Sequence, residues 1–310
     1  MANSIKVYAT GSVANVSCGF DCLGYSIENP GDKIEIYQNN SGKIEISMSG
    51  IQAEKISTIP ENNTAGKAII SMLSELNKDV GFTVHIKKGI PPGSGIGSSA
   101  SSAVGAIFGV NQLLGNPLNP NELIIHAMAG EAVASGGFHA DNVAPSLFGG
   151  MVLIRNYEPL DIIQIPIPGK LWSTVILPEY VVNTRDARDM LPNSVSLKLA
   201  VEQAGNLAGF TLGFANSDYD LISRSMEDLF AEPVRKELIP GFKRVKSSAL
   251  ENGAIGCGIS GSGPSMFAFS IDKESAMKIA EGMQDSFKKS GLNSKTYVSK
   301  INQNPPQILD

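Results

Sequence analysis

Between Ile90 and Ala106 the chain reads Ile-Pro-Pro-Gly-Ser-Gly-Ile-Gly-Ser-Ser-Ala-Ser-Ser-Ala-Val-Gly-Ala, and these residue types suit a phosphate chain. Gly93, Gly95 and Gly97 allow positive φ and leave backbone N–H groups uncovered. A helix opening near Ser98 adds unpaired amides and the positive end of its dipole. Such a nest of donors binds anions. Ser98, Ser99 and Ser101 bring hydroxyls able to cap the helix, touch phosphate or hold Mg²⁺. No lysine follows Gly97, so this is not a Walker A loop, and the glycine spacing is not that of a dinucleotide fingerprint. A Gly/Ser turn that only caps a buried helix is the competing reading; Pro91-Pro92 in front and Ser-Ser-Ala behind weigh against it.

Polar groups gather at further places. The loop Thr10–Gly24 sets Asn15 and Asp21 among small residues, where each could cap a turn or face a ligand from a strand end. His139, Asp141 and Asn142 crowd between glycine clusters, which favours a functional role for them. Glu131 falls near the C-terminal end of a helix, where its charge opposes the dipole and calls for a partner. A Mg²⁺ ion needs only one or two such protein oxygens beside nucleotide phosphates. The arginines of Asn183-Thr-Arg-Asp-Ala-Arg188 stand out in a chain poor in arginine, although Thr184 capping a short helix explains them equally well. Asn62-Asn63 precedes a helix and is explained by capping. His85 and His126 read as ordinary strand and helix residues.

These groups need a scaffold. Gly81–Lys87 alternates as a strand into the glycine loop, and a helix follows to about Leu114. Lys33–Tyr37 and Lys43–Met48 also alternate, and Asn39-Asn-Ser-Gly between them predicts a hairpin. Helices are expected at Thr64–Leu76, Asn121–Ala134, Val195–Asn216, Lys236–Asn252 and Lys273–Ser290. Strands are expected at Asp161–Pro166, Leu171–Leu177, and on either side of the turn Gly261-Ser-Gly-Pro264.

A length of 310 residues suggests two domains, each with its own core. The 42% hydrophobic and 18% charged content is that of a soluble globular protein. A net charge of −5 argues against a nucleic-acid surface. The sequence has no apolar run of about 18 residues, so no membrane span is expected, and its first residues lack a signal-peptide core. Cys18, Cys22 and Cys257 are too few and too scattered for a disulfide framework or zinc site, which fits free thiols in the cytoplasm.

Pro-Pro-Gly-Ser-Gly-Ile-Gly-Ser-Ser-Ala at 91–100 resembles the central ATP loop of the superfamily of galactokinase, homoserine kinase, mevalonate kinase and phosphomevalonate kinase. Gly-Ile-Ser-Gly-Ser-Gly-Pro-Ser at 258–265 resembles its third motif. Four stretches resemble the homoserine kinase family in particular: Ala-Asn-x-x-x-Gly-Phe-Asp-x-Leu-Gly at 14–24, His-Ala-Asp-Asn-Val-Ala-Pro at 139–145, Thr-x-x-Ala-Arg at 184–188 and Glu-Pro-x-Arg at 232–235. One departure is Val-Ser-Cys at 16–18, where family members often carry Leu-Gly-Pro.

The resemblance implies an α+β fold: an ATP-binding domain, residues 1–160, with a left-handed βαβ crossover, and a ferredoxin-like domain, residues 161–310. It implies transfer of phosphate from ATP to the side-chain hydroxyl of L-homoserine, for threonine synthesis. By the match, Pro91, Pro92, Gly93, Ser94, Gly95, Ile96, Gly97, Ser98, Ser99, Ala100 and Ser101 hold the nucleotide, with Asn62 near the adenine. Ser99 and Glu131 hold Mg²⁺. Asp21 takes the substrate ammonium, and Arg188 and Arg235 take its carboxylate, since guanidinium groups bind both oxygens. Asn15 and Asn142 orient the hydroxyl, and His139 and Thr184 line the site. Asp141 matches a residue proposed as the base in mevalonate kinases, while direct attack without a base is proposed for homoserine kinases. A homodimer is compatible with the sequence. A kinase for another acceptor, or a ligand sensor on the same scaffold, remains open; mevalonate would leave Asp21 unexplained, and a sensor would be expected to lose Ser99 and Glu131.

Overall fold

A computed structural model describes residues 4–310. In chain order its elements are β1 (Ser4–Ala14), β2 (Leu23–Asn39), β3 (Ile44–Gly50), α1 (Thr64–Glu75), β4 (Gly81–Lys88), α2 (Ser98–Leu113), α3 (Pro120–Ser135), α4 (Val143–Phe148), β5 (Met151–Tyr157) and β6 (Leu160–Ile165). Then come β7 (Trp172–Pro178), α5 (Thr184–Asp189), α6 (Leu197–Asn216), α7 (Tyr219–Ser225), α8 (Glu232–Arg235), α9 (Phe242–Glu251), β8 (Gly256–Ile259), β9 (Met266–Ser270), α10 (Lys273–Lys289), β10 (Ser294–Ser299) and β11 (Gln307–Leu309).

Seven strands form the first sheet, in the order β11-β1-β2-β4-β3, with β5 on the other end of β2 and β6 beyond it. Strict alternation fixes its inner face. Ile34 and Ile36 on β2 and Phe82, Val84 and Ile86 on β4 are fully buried against α1, α2 and α3. The predicted hairpin between the second and third strands does not form: β3 pairs in parallel with β4, which lies between it and β2. The apolar β4 takes the inner place, and β3, with Glu45, Ser47 and Ser49, is left at the edge, where polar side chains are tolerated. Helix α1 makes the crossover of this parallel βαβ unit.

The second sheet has the order β10-β7-β9-β8, antiparallel throughout, and with its helices makes the βαββαβ pattern of a ferredoxin-like domain. Helices α9 and α10 pack on one face through Val245, Ile279, Met283 and Phe287. The other face meets the first unit in a shared apolar core, where Tyr25 packs edge-on against Phe267 and at a tilt against Phe269, with ring distances of 5.9 and 5.3 Å. The helix expected over 236–252 is broken: Pro240 lacks a donor and Gly241 turns with φ 84°, so α9 starts only at Phe242.

The division expected at residue 160 also shifts. Strand β6 runs to Ile165 inside the first sheet, and β11 returns from the far end of the chain to pair with β1, Lys6 opposite Leu309. The first sheet therefore draws on residues 4–165 and 307–309.

Candidate active site

The glycine loop lies between the two sheets and borders a cavity of about 450 Å³. Gly93, Gly95 and Gly97 all have φ near +70 to +80°, as the loop's tight reversals require. The carbonyls of this loop are consumed by the protein. Ser265 Oγ donates to the Ser94 carbonyl at 2.6 Å, Ser260 Oγ to that of Gly95 at 2.7 Å, and the Ser12 amide to that of Ile96 at 3.2 Å. With its carbonyls turned into the fold, the loop has amides to offer the cavity. Pro92, Gly93, Ser94, Gly95, Gly97, Ser98 and Ser99 line it. Ile96, Ala100 and Ser101 do not; they face the interior, where Ser101 Oγ donates to the Ala9 carbonyl. Pro91 stands outside the lining. Asn62 is exposed and does not reach the cavity; Asn63 does, while capping α1 through the amides of Ala65 and Gly66.

Beneath the loop is a group that the sequence reading missed. Lys88, almost wholly buried, points its ammonium at the Asp32 carboxylate, the Ser98 carbonyl at 2.7 Å and Ser102 Oγ at 2.9 Å. Asp32 in turn accepts from the Gly89 amide and from Ser102. The signal was present: Phe82, Val84, Ile86 and Lys88 share one strand face, as do Asp32, Ile34 and Ile36. An inward lysine beside an inward aspartate on paired strands implies a buried ion pair.

At the cavity's inner wall Ser99 Oγ donates to Glu131 Oε1 at 2.9 Å, and Glu131 Oε2 is buried without a partner. Burial is the main cause that pushes the Glu131 carboxyl up to about 7. Ser99 and Glu131 both line the cavity, and a carboxylate with one oxygen left without a partner beside a hydroxyl is the hard-oxygen donor set that suits Mg²⁺. Asn142 also lines the wall; its Oδ1 accepts from Ser12 Oγ at 2.8 Å. Asp141 next to it is buried, and burial followed by the Asp21 charge pushes its carboxyl up to about 7.

Beyond Asn142 and Thr184 the remaining predicted residues come together. Arg188 on α5 grips Asp21 with two bonds, at 2.8 and 2.6 Å, and His139 Nδ1 stands 4.0 Å from the same carboxylate. Burial keeps the His139 imidazole below its ordinary pKa, hence neutral at pH 7. The guanidinium of Arg235 is buried and already engaged: it donates to the carbonyls of Ala187 and Gly261 and, like Arg188, stacks over Phe20. Asn15 Nδ2 donates to the same Gly261 carbonyl at 2.8 Å, and its Oδ1 accepts from the Asp21 amide. Asn15 and Arg235 thus hold the two sides of the site together.

Two predictions follow from buried charge. Lys88→Met strands Asp32 without a partner and should cost about 3–5 kcal/mol; the double variant Asp32→Asn/Lys88→Met should recover most of the lost melting temperature. Equal melting of the single and double variants would remove the pair from this role. For Asp141, a native pKa near 7 against an ordinary 3.8 means that the folded protein holds more protons between these limits. Its contribution destabilises above pH 7 and is relieved as pH falls towards 4. Asp141→Asn should therefore raise the melting temperature by a few °C at pH 8 and leave it unchanged near pH 4.

The N-terminal domain of the GHMP kinases matches residues 63–150, and their C-terminal domain matches residues 211–289. Homoserine kinase of Chlorobium phaeobacteroides (strain BS1) is 43% identical, across 99% of each chain. The crystal structure of homoserine kinase from Cytophaga hutchinsonii has a TM-score of 0.97 at 44% identity, covering 100% of this chain and 98% of that one. L. major mevalonate kinase, at 16% identity, shares the fold with a TM-score of 0.68.

Proposed function

Because the chain belongs to the homoserine kinase family of GHMP kinases, we propose that it acts as a cytoplasmic enzyme transferring the γ-phosphoryl group of ATP to the side-chain hydroxyl of L-homoserine. The product, O-phospho-L-homoserine, feeds threonine synthesis. The observation that carries the substrate side is the Asp21–Arg188 pair, joined to the phosphate loop through Thr184 and Asn142. A paired anion and cation in an open position match a zwitterion. An amino acid can exchange both ends of the pair at once, its ammonium to Asp21 and its carboxylate to Arg188.

The acceptor hydroxyl then falls to Asn142 and Asn15 to orient, with His139 and Thr184 beside it. Arg235, tied to backbone carbonyls, supports Arg188 by fixing α5 and adds positive charge near the substrate carboxylate. The loop amides of residues 93–99 cradle the phosphates. Ser99 and Glu131 would hold Mg²⁺, which supplies charge neutralisation on the transferring phosphates. Catalysis is thereby mostly positioning and electrostatics, as this transfer demands. Asp141, with a carboxyl near neutrality, is able to take the hydroxyl proton as the new P–O bond forms.

The test is ADP release with Mg-ATP and L-homoserine, L-threonine, L-serine, mevalonate or galactose as acceptor. Selective turnover of L-homoserine is expected; turnover of mevalonate alone would overturn the assignment of Asp21 and Arg188. Arg188→Ala should raise KM for homoserine roughly 10–100-fold, the worth of a charged bidentate contact, with KM for ATP little changed. Asp141→Asn should lower kcat by about 10²–10⁴-fold if it acts as the base; a loss below tenfold would assign transfer to direct attack.

A further inference from the structure

Strand β5 changes face before it ends. Val152 and Ile154 point into the core under α1, α2 and α3, while Met151 and Leu153 point into the apolar core shared by the two units. Strict alternation would send Tyr157 the way of Met151 and Leu153. It does not go there. Ile154 lies opposite Ile162 and Asn156 opposite Asp161, so Arg155 is one residue extra on β5, a bulge that inverts the faces beyond it. Tyr157 therefore packs with Leu160 and Ile162, on the side of Val152 and Ile154. Its hydroxyl arrives between two loops: it donates to the Asp21 carbonyl at 3.0 Å and accepts from the Ala140 amide at 3.3 Å. Ala140 is fully buried and stands between His139 and Asp141. Burial and then the Asp141 charge raise the pKa of the phenol above its ordinary value, so the hydroxyl keeps the proton it donates.

We propose that Tyr157 is a positioning residue: it fixes the span between the ammonium end and the hydroxyl end of the acceptor, and so selects homoserine over shorter hydroxy amino acids. The inference rests on the functional reading above, in which Asp21 takes the ammonium while Asp141 and Asn142 serve the hydroxyl. Those groups come from separate loops, one after β1 and one before α4. A single hydroxyl, donor to one backbone and acceptor from the other, ties them together. Among the described residues neither of these two backbone groups has another hydrogen-bond partner. The Asp21 end is further held by Arg188 on its carboxylate and by Asn15 on its amide, so the span has little slack. Serine is shorter than homoserine by one methylene. With its ammonium on Asp21, its hydroxyl stops short by about 1.5 Å, the length of one C–C bond. A fixed span leaves that gap open, and misplacement on this scale is expensive in phosphoryl transfer. A span free to contract would close it.

Tyr157→Phe keeps the ring and removes both bonds. It should lower kcat/KM for L-homoserine about 5–30-fold, the worth of a bond whose buried partners are left unpaired, with KM for ATP little changed. The wild-type preference for L-homoserine over L-serine should be roughly 10–200-fold, as one methylene allows, and Tyr157→Phe should contract it about fivefold or more. Tyr25→Phe is the matched control, since it removes the bond of a buried phenol to Ser173 Oγ at 2.8 Å in the shared core. It should lower the melting temperature to a similar degree without moving the preference. Hydrogen exchange should quicken at residues 19–22 and 139–142 in Tyr157→Phe alone. An unchanged preference, a loss matched by an equal rise in KM for ATP, or an equal shift in Tyr25→Phe would overturn the inference and leave the functional reading in place. A wild-type chain that does not turn over L-homoserine would overturn that reading and the inference with it.

Discussion

A buried ammonium and a buried carboxylate neutralise each other under the phosphate loop, and the geometry above them depends on it. Lys88 closes strand β4, Asp32 stands beside it on β2, and Ser98 and Ser102 open α2. Either charge alone would be intolerable at that depth. Together they bind strand, strand and helix with every donor of the lysine used, and the helix start is held where its amides can meet an anion. The serines of the second unit add the complementary constraint by capturing loop carbonyls from the other side. Neither unit forms the anion site alone.

The opposing wall shows how much distortion this arrangement carries. Asn15, Val16, Ser17 and Asp21 all have positive φ, and a β-branched residue with φ 37° is costly. The loop is over-determined: Asn15 bonds to Gly261, Tyr157 donates to the Asp21 carbonyl, and Gln203 donates to that of Cys18. Gln203 lies on α6, so that helix braces the loop that presents Asp21.

Much of this was legible in the residues. The glycine loop could be read from its own residues because it depends on local conformation, whereas the ferredoxin-like domain and the pairing of Ser99 with Glu131, 32 residues apart, came from the resemblance to the kinase superfamily. Strand order was less accessible, since the alternation in β2 and β3 reveals which residues face inward but not which strand lies between them. Asn62 and Asn63 show the limit of composition: adjacent and chemically identical, they differ only in which one faces the cavity, a matter of the turn before α1. Lys88 and Asp32 were readable by period two and were overlooked because charged residues are expected outside. The contact between Arg188 and Asp21 joins segments 167 residues apart and could not be inferred from either segment.

The return of β11 to β1 has a consequence for biogenesis. During translation the first strand must wait for the last before its open edge is covered, and at cellular elongation rates that interval is on the order of tens of seconds. Through that time the nascent sheet displays unpaired backbone groups along Lys6–Tyr8, a template for wrong pairing with other chains. The late-made segment Gln307–Leu309 thus acts as a cover for an edge formed from the first residues described, and the fold closes only when the two meet.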